Sequence, residues 1–402
     1  MNPLLNSLQP YPFEKLLKLK EGVTPPSGLP HIALSIGEPR HEPPAFVLEE
    51  VQQHLPRVVN YPTTKGLDEL REAMAAWACR RFLGNRPLID ADTQILPVNG
   101  TREALFSFAQ AVIDSRQPAK VLMPNPFYQI YEGAALLAGA EPVFINCPAE
   151  NRFHPDFDNV SDATWDACQL LYICSPGNPT GTVLSSTTLQ QLIILADKHD
   201  FVIASDECYS ELYFDEQSPP PGLLQACMEM GRDDFARCAV FHSLSKRSNL
   251  PGLRSGFVAG DAAILKKFYQ YRTYHGCAMP TFSQLASIAA WNDESHVAAN
   301  RELYRQKFNQ VLDLLNGCLE VERPEAGFYL WARTPATDTG FARQLFAEEN
   351  ITVLPGSYLA RDTQAGNPGA GRVRMALVAS VEECAEAAVR LRRFCEGLKG
   401  LR

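Results

Sequence analysis

The sequence has no apolar run near the roughly 20 residues that a helix needs to cross a lipid bilayer, and its first residues lack the long apolar core of a signal peptide. It also lacks a basic block: 37 lysines and arginines are dispersed among 46 acidic residues, which gives a formal net charge of −9. Nucleic-acid binding requires a positively charged surface. We therefore predict neither a membrane nor a nucleic-acid partner, although a few local arginines could still bind a small anion.

The eleven cysteines are scattered singly, and no two of them have the C-x-x-C spacing that is typical of zinc or redox motifs. The eight histidines are dispersed as well. We therefore predict that the protein has no metal site and that its thiols stay reduced. Dispersed, reduced thiols are typical of cytoplasmic proteins, and the cytoplasm is the predicted location.

With 402 residues, the chain is long enough for two domains. Between about residues 95 and 260, short apolar runs alternate with amphipathic helical patterns such as 102–113 and 188–199. This alternation predicts an α/β domain built on a mostly parallel sheet. The predicted strands of that sheet are 94–98, 120–123, 142–145, 170–174, 201–205 and 238–242.

A smaller α+β domain is predicted from the rest of the chain. An amphipathic stretch at 281–315 breaks the alternation. It is followed by three apolar runs and a terminal helical pattern, at 328–332, 351–355, 373–377 and 381–398. Residues 1–40 are rich in proline and glycine, and we expect them to pack against this domain as an N-terminal arm. The predicted division is therefore an arm at 1–40, a large domain at 41–285 and a small domain at 286–402.

Unusual polar segments follow five of the predicted strands. These segments are NGTRE (99–103), PNPFY (124–128), SPGNPTG (175–181), DECY (206–209) and SLSK (243–246). In an open parallel sheet, ligands bind at the carboxyl ends of the strands. Because all five segments lie at this edge of the predicted sheet, we predict a binding site there.

Lys246 is the first candidate for chemistry at this edge. A lysine amine has a reference pKa of about 10.4 and must be tuned before it acts as a nucleophile, most commonly toward an aldehyde cofactor. Considered alone, Lys246 is more simply explained as an exposed loop lysine. Its neighbours Ser243, Ser245 and Arg254, however, offer two hydroxyls and a fork of donors for a phosphate.

Other residues at the same edge suit a charged aromatic ligand. Gly100 and Thr101 precede a predicted helix whose N-terminal amides favour an anion, although a simple helix cap would look the same. Asp206 follows an apolar strand and would be costly to bury without a partner such as a protonated pyridine nitrogen. Three residues that could instead belong to a turn or to ordinary packing could donate to a ring oxygen or stack on the ring: Asn178, Tyr209 and Tyr128.

Together these motifs resemble those of the class I/II aminotransferases, fold-type I enzymes that depend on pyridoxal 5′-phosphate. The matching segments are NGT (99–101), NPTG (178–181), D-x-x-Y (206–209), S-x-S-K with R at plus eight (243–254), YPTTKGLDELREA (61–73) and GRVRMAL (371–377). The resemblance covers nearly the whole chain. It implies a large α/β domain with a mostly parallel sheet that binds the cofactor, and a smaller α+β domain formed by the N- and C-terminal segments.

The resemblance also implies roles for individual residues. Lys246 would be the catalytic residue, binding the cofactor covalently and moving the substrate proton, and Asp206 would pair with the pyridine nitrogen. The implied cofactor-binding residues are Gly100, Thr101, Tyr128, Asn178, Asp206, Tyr209, Ser243, Ser245, Lys246 and Arg254, joined by Tyr61 from a second subunit. Arg374 would bind the substrate α-carboxylate bidentately, with Gly37 and Asn178 as further substrate contacts. A homodimer with shared active sites is therefore implied.

Longer phrases, among them LQPYPFEKL (8–16) and DECYSELYFDE (206–216), are similar to the bacterial succinyldiaminopimelate aminotransferases. This similarity implies amino transfer from glutamate to N-succinyl-2-amino-6-oxopimelate, with release of 2-oxoglutarate, in lysine biosynthesis through diaminopimelate. Two alternatives remain open: another pair of amino acid and 2-oxo acid, or a C–S β-lyase. The candidates for binding the distal carboxylates of the substrate are Arg40, Arg272 and Tyr274.

Overall fold

The structure is a computed structural model that describes residues 1–400. Its strands are β1 (Ile32–Ala33), β2 (Ile95–Val98), β3 (Lys120–Asn125), β4 (Glu141–Asn146), β5 (Cys168–Cys174), β6 (Val202–Asp206), β7 (Cys238–Ser243), β8 (Gly256–Gly260), β9 (Tyr329–Arg333), β10 (Ile351–Thr352), β11 (Leu354–Pro355) and β12 (Arg372–Ala376). Its helices are α1 (Pro12–Lys20), α2 (Ala45–His54), α3 (Asp68–Phe82), α4 (Thr101–Val112), α5 (Ile130–Leu137), α6 (Asp162–Asp166), α7 (Ser186–His199), α8 (Leu223–Glu229), α9 (Leu244–Arg247), α10 (Ala262–His275), α11 (Thr281–Asn292), α12 (Ser295–Leu315), α13 (Asp338–Glu349) and α14 (Val381–Gly400). Within residues 1–400, none of these helices is both long and apolar enough to cross a membrane.

A seven-stranded sheet in the order β2-β8-β7-β6-β5-β3-β4 forms the centre of the larger part of the molecule. The six strands predicted from apolar runs all lie in it, and β4, β3, β5, β6 and β7 pair in parallel. The seventh strand, β8, was not predicted, and it pairs antiparallel with both β2 and β7. The predicted α/β fold with a mostly parallel sheet is therefore confirmed.

Helices cover both faces of this sheet, which explains why its strands are apolar without alternation. Along β7, Val240 joins a core on one face and Phe241 a core on the other. The first core includes Trp77 of α3 and Trp291 of α11. In the second, the ring of Phe108 in α4 packs edge-to-face on Phe241 at 5.3 Å between centroids. Packing on both faces fixes the strand ends, and so fixes the segments that follow them.

A smaller antiparallel sheet, in the order β11-β12-β9, lies beside a third core, which includes residues of α12, α13 and α14. The apolar run predicted at 351–355 is divided here, because β10 pairs with β1 whereas β11 pairs with β12. The parallel pairing of β1 with β10 ties the N-terminal arm to this part of the molecule. Leu16 of α1 packs with Trp331 and Leu354 of the small sheet. Part of the N-terminal arm therefore packs against the small sheet.

The amphipathic stretch at 281–315 forms two helices rather than one. Trp291 of α11 lies in the larger core, whereas Phe308 of α12 lies in the smaller one. The chain thus passes between the two cores in the turn that contains Asp293, after α11 has ended. The predicted domain boundary at residue 285 falls inside α11.

Candidate active site

A cavity of about 570 Å³ lies at the carboxyl ends of the large-sheet strands and is closed by residues of the small sheet. The predicted site residues that line it are Gly37, Thr101, Tyr128, Asn178, Asp206, Tyr209, Ser243, Ser245, Lys246, Arg254 and Arg374. Gly100 adjoins the cavity through its contact with Arg254. Tyr61 is fully exposed and lies outside it. Residues distant in the chain are therefore brought together, with Tyr61 as the exception.

Lys246 lies in the short helix α9, directly after β7. The hydroxyl of Ser243 accepts a 3.1 Å hydrogen bond from the amide of Ser245 and so caps this helix. The Nζ of Lys246 donates to the carbonyl oxygen of Gly37 and lies 5.4 Å from the ring centroid of Phe328. Burial lowers the pKa of the Lys246 amine to about 8. A neutral, nucleophilic amine is therefore accessible near neutral pH.

Asp206 ends β6 and is only 4% exposed. Its Oδ2 accepts a 2.7 Å hydrogen bond from the hydroxyl of Tyr131, and its Oδ1 accepts a 3.2 Å hydrogen bond from the amide of Cys208. Both donors are neutral, and burial raises the pKa of the carboxyl group. A cation placed against this carboxylate would offset the cost of burying it. Tyr131, which the sequence analysis did not single out, holds the carboxylate in place.

An anion pocket lies where α4 begins. Thr101 is the first residue of this 12-residue helix, whose N-terminal amides favour a negative charge. Gly100 precedes it with φ of 86°, and a Cβ there would lie 2.1 Å from Nη2 of Arg254. Glycine is therefore required at this position. The guanidinium of Arg254 would hold a phosphate together with the hydroxyls of Ser243 and Ser245, which line the same cavity.

Arg374 of β12 forms a fixed cationic wall of the cavity. Its Nη1 donates 2.9 Å to Oδ1 of Asn178, and its Nη2 donates 2.8 Å to the carbonyl oxygen of Ser35. The guanidinium also lies 4.4 Å from the ring centroid of Tyr329. These contacts hold the planar group in one orientation, which suits bidentate binding of a carboxylate.

Tyr329 connects the residues around Arg374 with those around Tyr209. Its Oη lies 3.0 Å from the Oη of Tyr209, and burial raises the pKa of both hydroxyls. A Cβ on Gly37 would lie 2.0 Å from the same Oη, so a larger residue at position 37 would displace the tyrosine. The sequence analysis included Tyr329 only in an apolar run, because FYLWA has no polar pattern that marks a site.

The three candidates for the distal carboxylates lie outside the cavity. Arg272 has no exposed surface and forms a 2.7 Å ion pair with Glu103, so its assignment to the substrate is wrong. Arg40 pairs with Glu383 at the surface, at 3.7 Å. Tyr274 is 90% exposed. Each of these side chains is already neutralised by a partner or faces solvent, so none is placed to recognise a substrate in this cavity.

Arg102 is a cavity residue that the sequence analysis missed. It is the second residue of α4, and its Nε donates a 2.7 Å hydrogen bond to the Oη of Tyr128. None of the ion pairs within residues 1–400 includes it. The segment NGTRE (99–103) indicated that this strand end contributes to the site. The sequence does not indicate which side chains at the start of α4 face the cavity.

These residues fit pyridoxal 5′-phosphate. The anion pocket beside Arg254 would hold its phosphate, and the buried carboxylate of Asp206 would pair with its ring nitrogen. Lys246 would bind its aldehyde, while Asn178 and Tyr209 line the cavity where they could donate to the ring oxygen. When bound, this cofactor supplies an electron sink for the α-carbon of an amino acid. The chain itself supplies the orientation of the ligand and a proton-carrying amine.

Comparisons with known proteins agree with this site. The family model described as aminotransferase class I and II matches residues 30–391. The LL-diaminopimelate aminotransferase of Maridesulfovibrio salexigens is 30% identical over 396 residues, which cover 97% of this chain and 98% of that protein. The enzyme of the same name from Dehalococcoides mccartyi is 31% identical over 397 residues, covering 97% of both.

Solved structures give the same result. An aminotransferase from Neisseria meningitidis has a TM-score of 0.94 at 49% identity, covering 98% of this chain and 100% of that one. The aminotransferase AspB from Helicobacter pylori has a TM-score of 0.89 at 36% identity, covering 97% and 99%. The family uses pyridoxal 5′-phosphate, as the sequence predicted. On this evidence, the chain belongs to the class I and II aminotransferases.

Proposed function

We propose that the protein transfers an amino group from glutamate to N-succinyl-2-amino-6-oxopimelate, forming N-succinyl-LL-2,6-diaminopimelate and 2-oxoglutarate. The observation that carries this proposal is the presence of both Arg374 and Arg102 in one cavity, the latter without a carboxylate partner. Glutamate and the succinylated compound each have a second carboxylate far from the reacting carbon. Two separated arginines suit such ligands, with Arg374 binding the α-carboxylate and Arg102 a distal one.

The size of the cavity and the curated relatives support the same substrate class. At about 570 Å³, the cavity falls within the range of roughly 300–1,000 Å³ that is common for ligand sites and has room for a substrate longer than glutamate. The relatives are named for diaminopimelate, which shares its seven-carbon backbone with the proposed product. The similarity of the longer sequence phrases points to the succinylated form.

In the proposed reaction, Lys246 carries the proton. Its Nζ takes a proton from the α-carbon of the amino donor, and Arg374 orients that carbon by holding the carboxylate next to it. A pKa of about 8 lets the amine release and regain a proton close to neutral pH. General acid–base catalysis of this kind contributes about 10²–10⁴-fold to a rate.

Substrate profiling tests the proposal. The cofactor-loaded protein is offered the succinylated oxo acid or simpler 2-oxo acids, with glutamate as donor, and the formation of 2-oxoglutarate is measured. We expect kcat/KM for the succinylated compound to be at least about 100-fold higher, because the simpler acids leave polar groups of the site unpaired. Comparable values would contradict the proposal and indicate an aminotransferase of broader range. Release of pyruvate, ammonia and a thiol from a cysteine S-conjugate such as cystathionine, with no oxo-acid acceptor present, would indicate a β-lyase instead. The Lys246→Ala variant is the inactive control.

A second candidate substrate is LL-diaminopimelate itself, because the curated relatives carry that name. This compound has a free, positively charged amine beside its distal carboxylate, whereas the succinylated compound has a neutral amide there. The charge of Arg102 opposes a second cation at that end of the cavity. We therefore favour the succinylated compound. The reverse reaction, with 2-oxoglutarate as acceptor and formation of glutamate measured, compares N-succinyl-LL-2,6-diaminopimelate with LL-diaminopimelate as amino donors.

We also propose a homodimer in which Tyr61 reaches the site of the second subunit. In the single chain Tyr61 is fully exposed, and the nearby Leu55, Val58 and Val59 are 52%, 61% and 78% exposed. A cluster of exposed apolar side chains is typical of a surface that another protein covers. The family resemblance implies that this surface faces a second copy of the chain.

A further inference from the structure

A chain of hydrogen-bonded side chains leads from α12 to the backbone of the catalytic lysine. Lys307 of α12 is only 1% exposed, and its Nζ donates to Nε2 of His41. The Nδ1 of His41 lies 2.6 Å from Oδ1 of Asn300, and the amide of Asn300 donates to the carbonyl oxygen of Lys246 at 3.3 Å. We call Lys307, His41 and Asn300 the anchor triad. It connects α12 both to the segment that follows Gly37 and to the start of the catalytic loop.

The anchor triad has one consistent order of donors and acceptors. A lysine ammonium cannot accept, so Nε2 of His41 accepts and Nδ1 carries the proton that it donates to Asn300. The Oδ1 of Asn300 also accepts a 3.0 Å hydrogen bond from Asn249, which turns its amide group toward the backbone. Burial, assisted by the charge of Lys307, lowers the pKa of His41 to about 4. The imidazole is therefore neutral at physiological pH, and the order of bonds is fixed.

Burying the charged amine of Lys307 costs folding free energy, which a purely structural role would not require. None of the ion pairs within residues 1–400 includes it, and burial lowers the pKa of its amine to about 8. Apart from His41, the amine is near the ring of Tyr304, at 4.9 Å from the centroid. An apolar side chain would fill this space without the cost of burying a charge. The bond to His41 is the direct contact that distinguishes lysine from an apolar residue here, while the carboxylates of Glu382 and Glu383 attract the amine from beyond hydrogen-bond distance.

His41 lies in a short irregular segment whose first residues form one wall of the active-site cavity. Between Gly37 and Ala45, where α2 begins, the backbone forms neither helix nor strand. Gly37 accepts from the Nζ of Lys246, and Glu38 lines the cavity beside it. At the other end, the imidazole of His41 packs 4.6 Å from the ring of Tyr304. The bonds of His41 to Lys307 and Asn300 hold the end of the segment that lies away from the cavity.

We propose that Lys307 and His41 are positioning residues, which hold the segment from Ile36 to His41 in the arrangement that binds substrate. This proposal needs only that the chain is an aminotransferase, and it does not depend on the succinylated substrate. If the bonds to Lys307 and His41 are lost, the segment adopts several arrangements, and only one of them binds substrate. The apparent affinity for substrate then falls in proportion to the fraction of molecules in that arrangement. The backbone of Lys246 stays fixed in α9 at the end of β7, so we expect the loss to fall on KM rather than on kcat.

Substitutions within the anchor triad test the proposal. Lys307→Met keeps the aliphatic stem and removes the donor, and we expect it to raise KM for the amino donor about tenfold while kcat stays within about twofold. In the cofactor-free protein, we expect trypsin to cleave the chain after Arg40 faster. Two variants separate the bonds of His41: His41→Gln keeps an acceptor toward Lys307, and His41→Asn keeps a donor toward Asn300. Lys198→Met, an exposed lysine on α7, is the matched control, and we expect it to change neither quantity.

The proposal is overturned if Lys307→Met lowers only the melting temperature while KM and the rate of tryptic cleavage after Arg40 stay at their original values. A loss confined to kcat would overturn it as well, because that would assign Lys307 to the chemical step. If Lys307→Met does not fold, the two His41 variants decide the same question. Original KM values and an unaltered rate of cleavage after Arg40 in both of them would mean that the anchor triad only stabilises the fold.

Discussion

The hydroxyl of Tyr131 donates a 2.7 Å hydrogen bond to Oδ2 of Asp206. Tyr131 is itself fixed by stacking on Tyr172, with 4.7 Å between ring centroids and 10° between ring planes. Burial raises the pKa of the Asp206 carboxyl group, and this hydrogen bond opposes that increase. The negative charge that Asp206 can offer to a cationic ring nitrogen thus depends on Tyr131, which does not itself line the cavity.

Replacing Tyr131 with phenylalanine is expected to weaken cofactor binding about tenfold or more. A hydrogen bond to a charged group is worth about 1.5–3 kcal/mol, and its loss makes the ionised carboxylate of Asp206 harder to maintain. Titration of the cofactor-free protein, followed by the visible absorbance of bound pyridoxal phosphate, measures the effect. Tyr172→Phe is the control, because it removes a buried hydroxyl that donates to the carbonyl oxygen of Leu105 instead. Equal losses of affinity in both variants would contradict the prediction.

The Lys246→Met variant of the cofactor-free protein is expected to gain stability in a pH-dependent way. Burial lowers the pKa of Lys246 from 10.5 to about 8, so the unfolded chain binds more protons than the folded chain between these values. The cost of burying the charge is therefore greatest below pH 8 and disappears as the pH approaches 10.5. We expect the substitution to raise the free energy of unfolding by up to about 3 kcal/mol at pH 7 and by much less at pH 10. Urea unfolding at the two pH values measures this gain, and an equal gain at both would refute the prediction.

Arg102→Gln is expected to discriminate between substrates by their distal charge. The loss of a charge-assisted hydrogen bond should raise KM for 2-oxoglutarate about 10- to 100-fold, while KM for pyruvate, which has no distal carboxylate, should change less than about twofold. Arg86→Gln, at a surface arginine paired with Asp233, is the control. If KM rises equally for both oxo acids, the role of Arg102 is to support Tyr128, to which it donates a hydrogen bond, rather than to bind substrate.

Val59→Asp is expected to weaken the proposed dimer at least tenfold, because it places a charge in an apolar surface that the second subunit would cover. Light scattering at decreasing protein concentration measures the change. Val389→Asp introduces the same charge at a valine of α14 that is 46% exposed, and we expect it to leave the assembly as it was. A monomer in the unsubstituted protein, or equal behaviour of the two variants, would argue against Tyr61 as a contributor to a second site.

The fold was predictable where burial leaves a pattern in the sequence. Six strands of the large sheet are covered on both faces, and each appears as a continuous apolar run between polar segments. β8 was missed because GFVAG (256–260) contains two glycines and only a short apolar centre. The apolar run at 351–355 contributes to two sheets, a change of partner that local sequence does not encode.

Site residues were predictable where a chemically distinctive side chain comes at or just after the end of a predicted strand. Asp206 and Lys246 follow strands directly, so the sheet geometry alone places them at one edge. Tyr131 and Tyr329 are aromatic residues in apolar surroundings, and their hydroxyls acquire a role only through partners 75 and 120 residues away. Arg272 was assigned wrongly, because a buried arginine and a substrate-binding arginine look alike until the partner of the charge, Glu103, is known.

The antiparallel direction of β8 limits how the length of the connection at 244–255 can change. Because β8 runs antiparallel to β7, with Gly256 opposite Ser243, the connection at 244–255 leaves and re-enters the sheet at the same edge. A helical crossover would have taken the chain to the far edge, so that only one of its ends reached the cavity. Lys246 and Arg254 therefore belong to a single loop, and inserting or deleting one residue there would shift the contacts that we propose for the aldehyde and for the phosphate of the cofactor at the same time. The other proposed cofactor contacts come from separate strand ends, where loop lengths can change one at a time.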